Sequence, residues 1–220
     1  MKRLLDIPAR PDPQLVAQFA DVATAQLSDS MDRLYAASPE LRPMHRGGVL
    51  AGPAFTVKTA PGDNLLVHKA IDMAKAGDVI VVDGGGFSDQ ALIGGIMARW
   101  AARRGVAGIV VWGAIRDSEE IRDEAFPVYA RAITHRGPYK DGPGEINVPI
   151  AVAGMPVHPG DIVVGDADGV VAVPLAMAGA VLASAKRIRD REAVVMQDIE
   201  RGTLDRAWVD ETLRRLGYQK

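Results

Sequence analysis

With 220 residues, 48% of them hydrophobic and 25% charged, the chain has the balance of a globular protein and length enough to bury a core without staples. A formal net charge of −2 and 5% aromatic residues argue against a nucleic-acid surface, which needs a basic patch or stacking platforms. No cysteine is present, which excludes disulfides, thiolate nucleophiles and cysteine-based zinc or iron–sulfur sites.

The opening MKRLLDIPARP has only Leu4 and Leu5 before Asp6, too short an apolar run for a signal peptide. No stretch approaches the roughly 18 apolar residues of a membrane span. The expectation is a soluble cytoplasmic protein. Residues 14–35 read as helical, interrupted near Ser28-Asp29, where a side-chain oxygen suits a new helix start. Val49–Thr59 has the small and β-branched content of a strand. Pro61-Gly62-Asp63 gives a turn with a capping Asp, and a helix follows over Asn64–Lys75.

Asp78–Asp83 is almost wholly apolar, as a strand buried on both faces should be. Gln90–Arg104 places Ile93, Ile96, Met97, Trp100 and Ala101 at amphipathic helical spacing. Val106–Ile115 is the next buried strand, with a short helix starting near Asp117. This alternation predicts an α/β core with some parallel pairing. Beyond Phe126 the pattern turns β-rich, through VYARAI, NVPIAVAG, IVVGD and GVVAVP. Gly137–Gly144 reads as a flexible loop, and Asp166-Ala167-Asp168-Gly169 as a hairpin turn. A helix over Leu175–Gly202 and a polar tail, residues 203–220, complete the chain.

The chemistry-bearing pattern joins the helix start at Gly94-Gly95 to Arg116-Asp117, just beyond the next strand's carboxyl end. Ligands of open α/β sheets gather outside that edge. A helix N-terminus there offers free N–H groups and partial positive charge to a carboxylate. Ordinary roles fit the same residues. Asp117-x-x-Glu120 also matches a helix N-capping box, with Asp in place of Ser or Thr. Gly94-Gly95 also suits helix–sheet packing, and Arg116 a surface ion pair. Gly84-Gly85-Gly86 lacks the flanking residues of a nucleotide site and reads as a loop bordering the pocket. The four histidines, His45, His68, His135 and His158, show no metal-ligand spacing and read as structural or exposed. Ser28 and Asp29 suit capping first, and a reach into the pocket second.

Gly95, twenty intervening residues and then Arg116-Asp117-Ser118-Glu119-Glu120 resemble the G-x20-R-D-x2-E/D motif of the RraA-like family, in its metal-dependent pyruvate-aldolase branch. Leu27–Met31, Gly52–Thr56, Ala76–Val79, Gly105–Val111, Pro159–Asp161 and Asp166–Val170 resemble further blocks of that family, so the likeness covers roughly residues 20–200. It implies a swivelling-domain-like β/β/α layered sandwich with flanking helices, a single domain over residues 1–202, and assembly as a homotrimer or homohexamer. Carried over, it implies that backbone groups of Gly94, Gly95, Ile96 and Met97 hold the substrate carboxylate. Arg116 would pair with the 2-oxo acid, Asp117 would hold Mg²⁺ (or Mn²⁺), and Glu120 would orient water beside it. Glu192 would complete the metal site of a neighbouring subunit. The implied activity is aldol cleavage of a substrate like 4-hydroxy-4-methyl-2-oxoglutarate or 4-carboxy-4-hydroxy-2-oxoadipate, with oxaloacetate decarboxylation. The rival reading is a non-catalytic regulator that binds a ribonuclease, and the presence of Glu120 favours the enzyme.

Overall fold

The computed structural model describes residues 2–218. After an irregular arm come α1 (Pro13–Phe19), α2 (Thr24–Asp29), β1 (Arg42–Pro43), β2 (Leu50–Thr59), α3 (Leu65–Met73) and β3 (Val79–Asp83). Then follow β4 (Ala91–Ile93), α4 (Gly95–Arg103), β5 (Gly108–Ile115), α5 (Ser118–Asp123) and β6 (Val128–Ile133). Short strands β7 (Gly144–Ile146), β8 (Ile150–Val152), β9 (Met155–Val157), β10 (Ile162–Gly165) and β11 (Val170–Val173) lead to α6 (Ala178–Arg201) and α7 (Ala207–Arg215).

The main sheet runs β1-β6-β5-β3-β2-β10-β11, with β4 beside β5 and β7 beside β2. Its centre, β2-β3-β5-β6, is parallel, and the flanking pairs are antiparallel. Strand β3 shows why the sheet is covered on both faces. Its Ile80 and Val82 pack into a cluster with Val67 and Ile71 of α3 and Met97 and Ala101 of α4. The alternate residues, Val79 and Val81, join Ile150, Val152, Met155 and Val157 of the separate β8–β9 hairpin. A period of two therefore feeds two different cores, which is why the strand reads as continuously apolar. A third cluster joins α1, α2 and α6 to β10 and β11. The layers are hairpin, sheet and helices, so the α/β layered expectation holds. Among the described residues no helix is long and apolar enough to cross a membrane.

Several local expectations change. Ala91–Ile93 is a strand on β5, and the helix starts only at Gly95. Its buried face is Gly95, Met97, Ala98 and Ala101, while Ile96 is 81% exposed and Trp100 50%. The apolar spacing thus combined residues of a strand and of two helix faces. The early helical stretch breaks at Ala20–Ala23 and again after Asp29, where α2 ends in turns and no new helix is capped. The cap of α2 comes from the β10–β11 turn, where Asp166 accepts from the Thr24 N–H at 2.8 Å and from its hydroxyl at 2.7 Å. Residues 147–154 carry only β8, because the chain turns at Ala153-Gly154 into β9. Residues 203–218, read as a polar tail, contain α7; Gln219 and Lys220 lie outside the described residues.

Candidate active site

Strands β4 and β5 run parallel, and each delivers its carboxyl end to a helix start: α4 after β4 and α5 after β5. The Arg116 N–H donates to the Ile93 carbonyl at 3.0 Å and ties the two ends together. Asp117 follows in the left-handed region (φ 55°), a conformation its short polar side chain tolerates better than most. The capping box does not form, since no side chain caps α5. Asp117 Oδ2 instead accepts the Gly95 N–H, at 3.0 Å, and so serves the start of α4.

The two glycines make that approach possible. A Cβ on Gly94 would stand 2.5 Å from Asp117 Oδ2 and 3.0 Å from Arg116 Cγ. One on Gly95 would overlap Glu120 Oε2 outright. The chain's own carboxylates therefore occupy the space that glycine leaves, and they bracket the first turn of α4. Since Gly95 is committed to Asp117, the N–H groups left without an intrahelical acceptor are those of Ile96 and Met97.

A cleft of about 340 Å³ opens over this junction. Ile96, Met97, Arg116 and Asp117 line it from the β5 and α4 side, Asn64 and His68 from the start of α3, and Gly137, Pro138 and Lys140 from the loop before β7. That loop reaches Arg116, because a Cβ on Gly137 would stand 3.5 Å from Arg116 Nη1. Asn64 donates its amide to the Leu92 carbonyl at 3.0 Å, which leaves Oδ1 buried without a partner among the described residues. Desolvation in the cleft lowers the pKa of His68, Lys140 lowers it further, and Asp72 opposes both.

The acidic groups suit a hard divalent cation. Among the described residues no three His, Cys, Asp or Glu side chains form a closed cage. Mg²⁺ needs none, because it binds through one or two carboxylates and keeps waters and substrate oxygens. Asp117 Oδ1 has no hydrogen-bond partner among the described residues, and Glu120, paired with Arg99 at 2.7 Å, flanks the same helix start.

The model of the family described as RraA-like, Aldolase/RraA, matches residues 24–172. The chain belongs to the RraA-like family. A Halalkalibacterium halodurans relative, provisionally named 4-hydroxy-4-methyl-2-oxoglutarate aldolase, is 41% identical over 172 residues, covering 78% of this chain and 82% of its own. The 4-hydroxy-4-methyl-2-oxoglutarate aldolase of one Thermus thermophilus strain is 45% identical, covering 51% of this chain and 68% of its own. A solved structure described as the RNA-processing inhibitor RraA, also from Thermus, superposes with a TM-score of 0.65 at 38% identity, over 70% of this chain and 93% of that one.

Within this RraA-like fold, Gly94, Ile96, Met97, Arg116 and Asp117 line the cleft, while Gly95 and Glu120 meet at the adjoining helix start without lining it. Glu192 does not join them in the single chain. It accepts from the Gln26 amide at 2.7 Å and lines a separate cleft with Asp29 and Arg33. Ser28, Asp29 and Gly84 to Gly86 are also absent from the lining of the Arg116 cleft; Gly86 lies instead against Trp112 and Arg131. Asn64, His68 and Lys140, which also line the cleft, lie outside the motif. Only Lys140 carried a signal, as the single cation in a Gly- and Pro-rich loop.

Proposed function

We propose that this chain is a divalent-cation-assisted aldolase. It cleaves a 4-hydroxy-2-oxo diacid, of the 4-hydroxy-4-methyl-2-oxoglutarate kind, to pyruvate and a second oxo acid, and it decarboxylates oxaloacetate through the same enolate. The relatives' names support the aldolase part. The observation that carries the reading is one cleft holding Arg116, Asp117, an open helix start and Lys140.

The substrate's carboxylate sits on the free N–H groups of Ile96 and Met97, where the helix dipole favours an anion. Arg116 lies beside the 2-oxo oxygen. When bound, Mg²⁺ (or Mn²⁺), held by Asp117 with Glu120 nearby, supplies Lewis-acid polarisation of that oxygen. As the C3–C4 bond breaks, its electron pair moves into the C2 carbonyl, and the C4 hydroxyl loses its proton to solvent and becomes a new carbonyl. Arg116 adds fixed positive charge where the enolate oxygen develops, with no reorganisation needed. Protonation at C3 then yields pyruvate. Lys140 pairs with the far carboxylate. The reading includes assembly as a homotrimer or homohexamer with Glu192 serving a neighbouring subunit. Exposed Ile96, beside the cleft, and Trp100 support a covered site.

Purified protein should release pyruvate from 4-hydroxy-4-methyl-2-oxoglutarate and from oxaloacetate with added Mg²⁺, followed by a coupled lactate dehydrogenase assay. Turnover that persists in a chelator, or none on either acid, overturns the proposal. The Thermus structure described as an RNA-processing inhibitor supports a second reading, in which the chain binds a ribonuclease. Inhibition of a purified ribonuclease by stoichiometric protein, without pyruvate release, would favour it.

A further inference from the structure

We infer that Asp63 is a positioning residue for the far end of the substrate, because its buried carboxylate locks the loop that presents Lys140. Asp63 is 2% exposed. Its Oδ1 accepts the Leu65 N–H at 3.0 Å, an ordinary turn at the start of α3. Its Oδ2 is spent elsewhere, on the N–H groups of Asp141 at 2.5 Å and Gly142 at 2.8 Å. Two backbone bonds continue the seam: Tyr139 N–H to the Gly62 carbonyl at 2.8 Å, and Asn64 N–H to the Tyr139 carbonyl at 3.0 Å. Lys140 is therefore held by a fixed residue on each side. The loop's Gly137, Pro138, Gly142 and Pro143 offer little side-chain packing to hold it otherwise. Three N–H donors around one carboxylate are a charge-matched arrangement that an amide cannot reproduce, since it has a single acceptor oxygen.

The inference rests on the proposed reading of the cleft, and binding separates the two. Pyruvate carries the 2-oxo acid head alone, and 2-oxoglutarate adds a far carboxylate. Calorimetry with Mg²⁺ present should show the wild type binding both. Asp63→Ala should weaken 2-oxoglutarate about tenfold and leave pyruvate within about twofold. Asp63→Asn, which keeps one acceptor, should give a smaller loss of the same kind and serves where the alanine variant fails to fold. Lys140→Met should mimic Asp63→Ala, and the double variant should be no weaker than either single one. Amide exchange at Asp141 and Gly142 should quicken in both Asp63 variants. Equal weakening of both ligands, additive losses in the double variant, or unchanged exchange would overturn the positioning role while leaving the cleft reading intact. A wild type that binds neither acid overturns both.

Discussion

At the scale of single residues, Arg116 and Gly94 separate catalysis from stability. The Arg116 side chain is 43% exposed and its ion pair with Asp117 spans 3.6 Å, so it contributes little to folding. Arg116→Lys keeps the charge but loses the planar fork, and kcat/KM should fall about 100-fold with the melting temperature unchanged. Gly94 has an extended backbone (φ −144°) that any residue can adopt, so alanine there is blocked by contact with Asp117 and Arg116, not by backbone strain. Gly94→Ala should therefore displace the Asp117 carboxylate, cutting kcat/KM at least about tenfold while the fold survives. His68 supplies a third measurement. Its neutral form is favoured by desolvation and by Lys140, so its titration lies below that of an ordinary histidine. Lys140→Met removes the charge contribution, and the His68 imidazole signal should titrate at higher pH by NMR. An unchanged titration would place Lys140 too far from the ring to act on it. Arg116 and Asp117 were legible because motif spacing marks them. His68 and Lys140 were not, because nothing in one chain's spacing brings residues 68 and 140 beside residue 116.

At the scale of elements, the strands that cross the core were legible and the short ones were not. A strand such as β3, apolar on both faces, announces itself by composition. Three-residue β4 has no periodicity of its own, so Ile93 was absorbed into the following helix. The Asp117-x-x-Glu120 pattern failed for a related reason. A capping box is a local rule, and here the Asp117 carboxylate finds a donor on another helix. The N-terminal arm shows the same long-range logic with a larger energetic consequence. Arg10 makes a paired hydrogen bond to Asp78, whose side chain is fully buried and which also accepts the Lys75 N–H at 2.8 Å. Asp78 holds up the Arg10 pKa, chiefly through that hydrogen bond. Arg10→Ala leaves a buried carboxylate without its cation, and chemical denaturation should show a loss of about 3 kcal/mol. A loss below about 1 kcal/mol would mean that water reaches Asp78 once the arm is released.

At the scale of the whole molecule, four parallel strands gather the site from segments that start near residues 64, 94, 116 and 137, and the layered order follows from alternation feeding two cores. The α/β class was legible because strands and helices alternate along the first half of the chain; the β8–β9 layer was hidden because one apolar run conceals its turn. The C-terminal region obeys a different rule. None of the α7 side chains is buried, and Trp208, Leu216 and Tyr218 are exposed, as are Val194, Met196 and Ile199 on the second half of α6. An element with no fully buried side chain stabilises its own chain little by apolar transfer. Ending the chain at Gly202 should therefore cost less than about 1 kcal/mol, a shift in melting temperature below about 4 °C, when measured on dilute protein. In the assembly proposed above this apolar surface is available to another copy, so the truncated chain should sediment as a smaller species than the full chain at micromolar concentration. A large drop in melting temperature that persists on dilution would show instead that α7 stabilises the fold of its own chain.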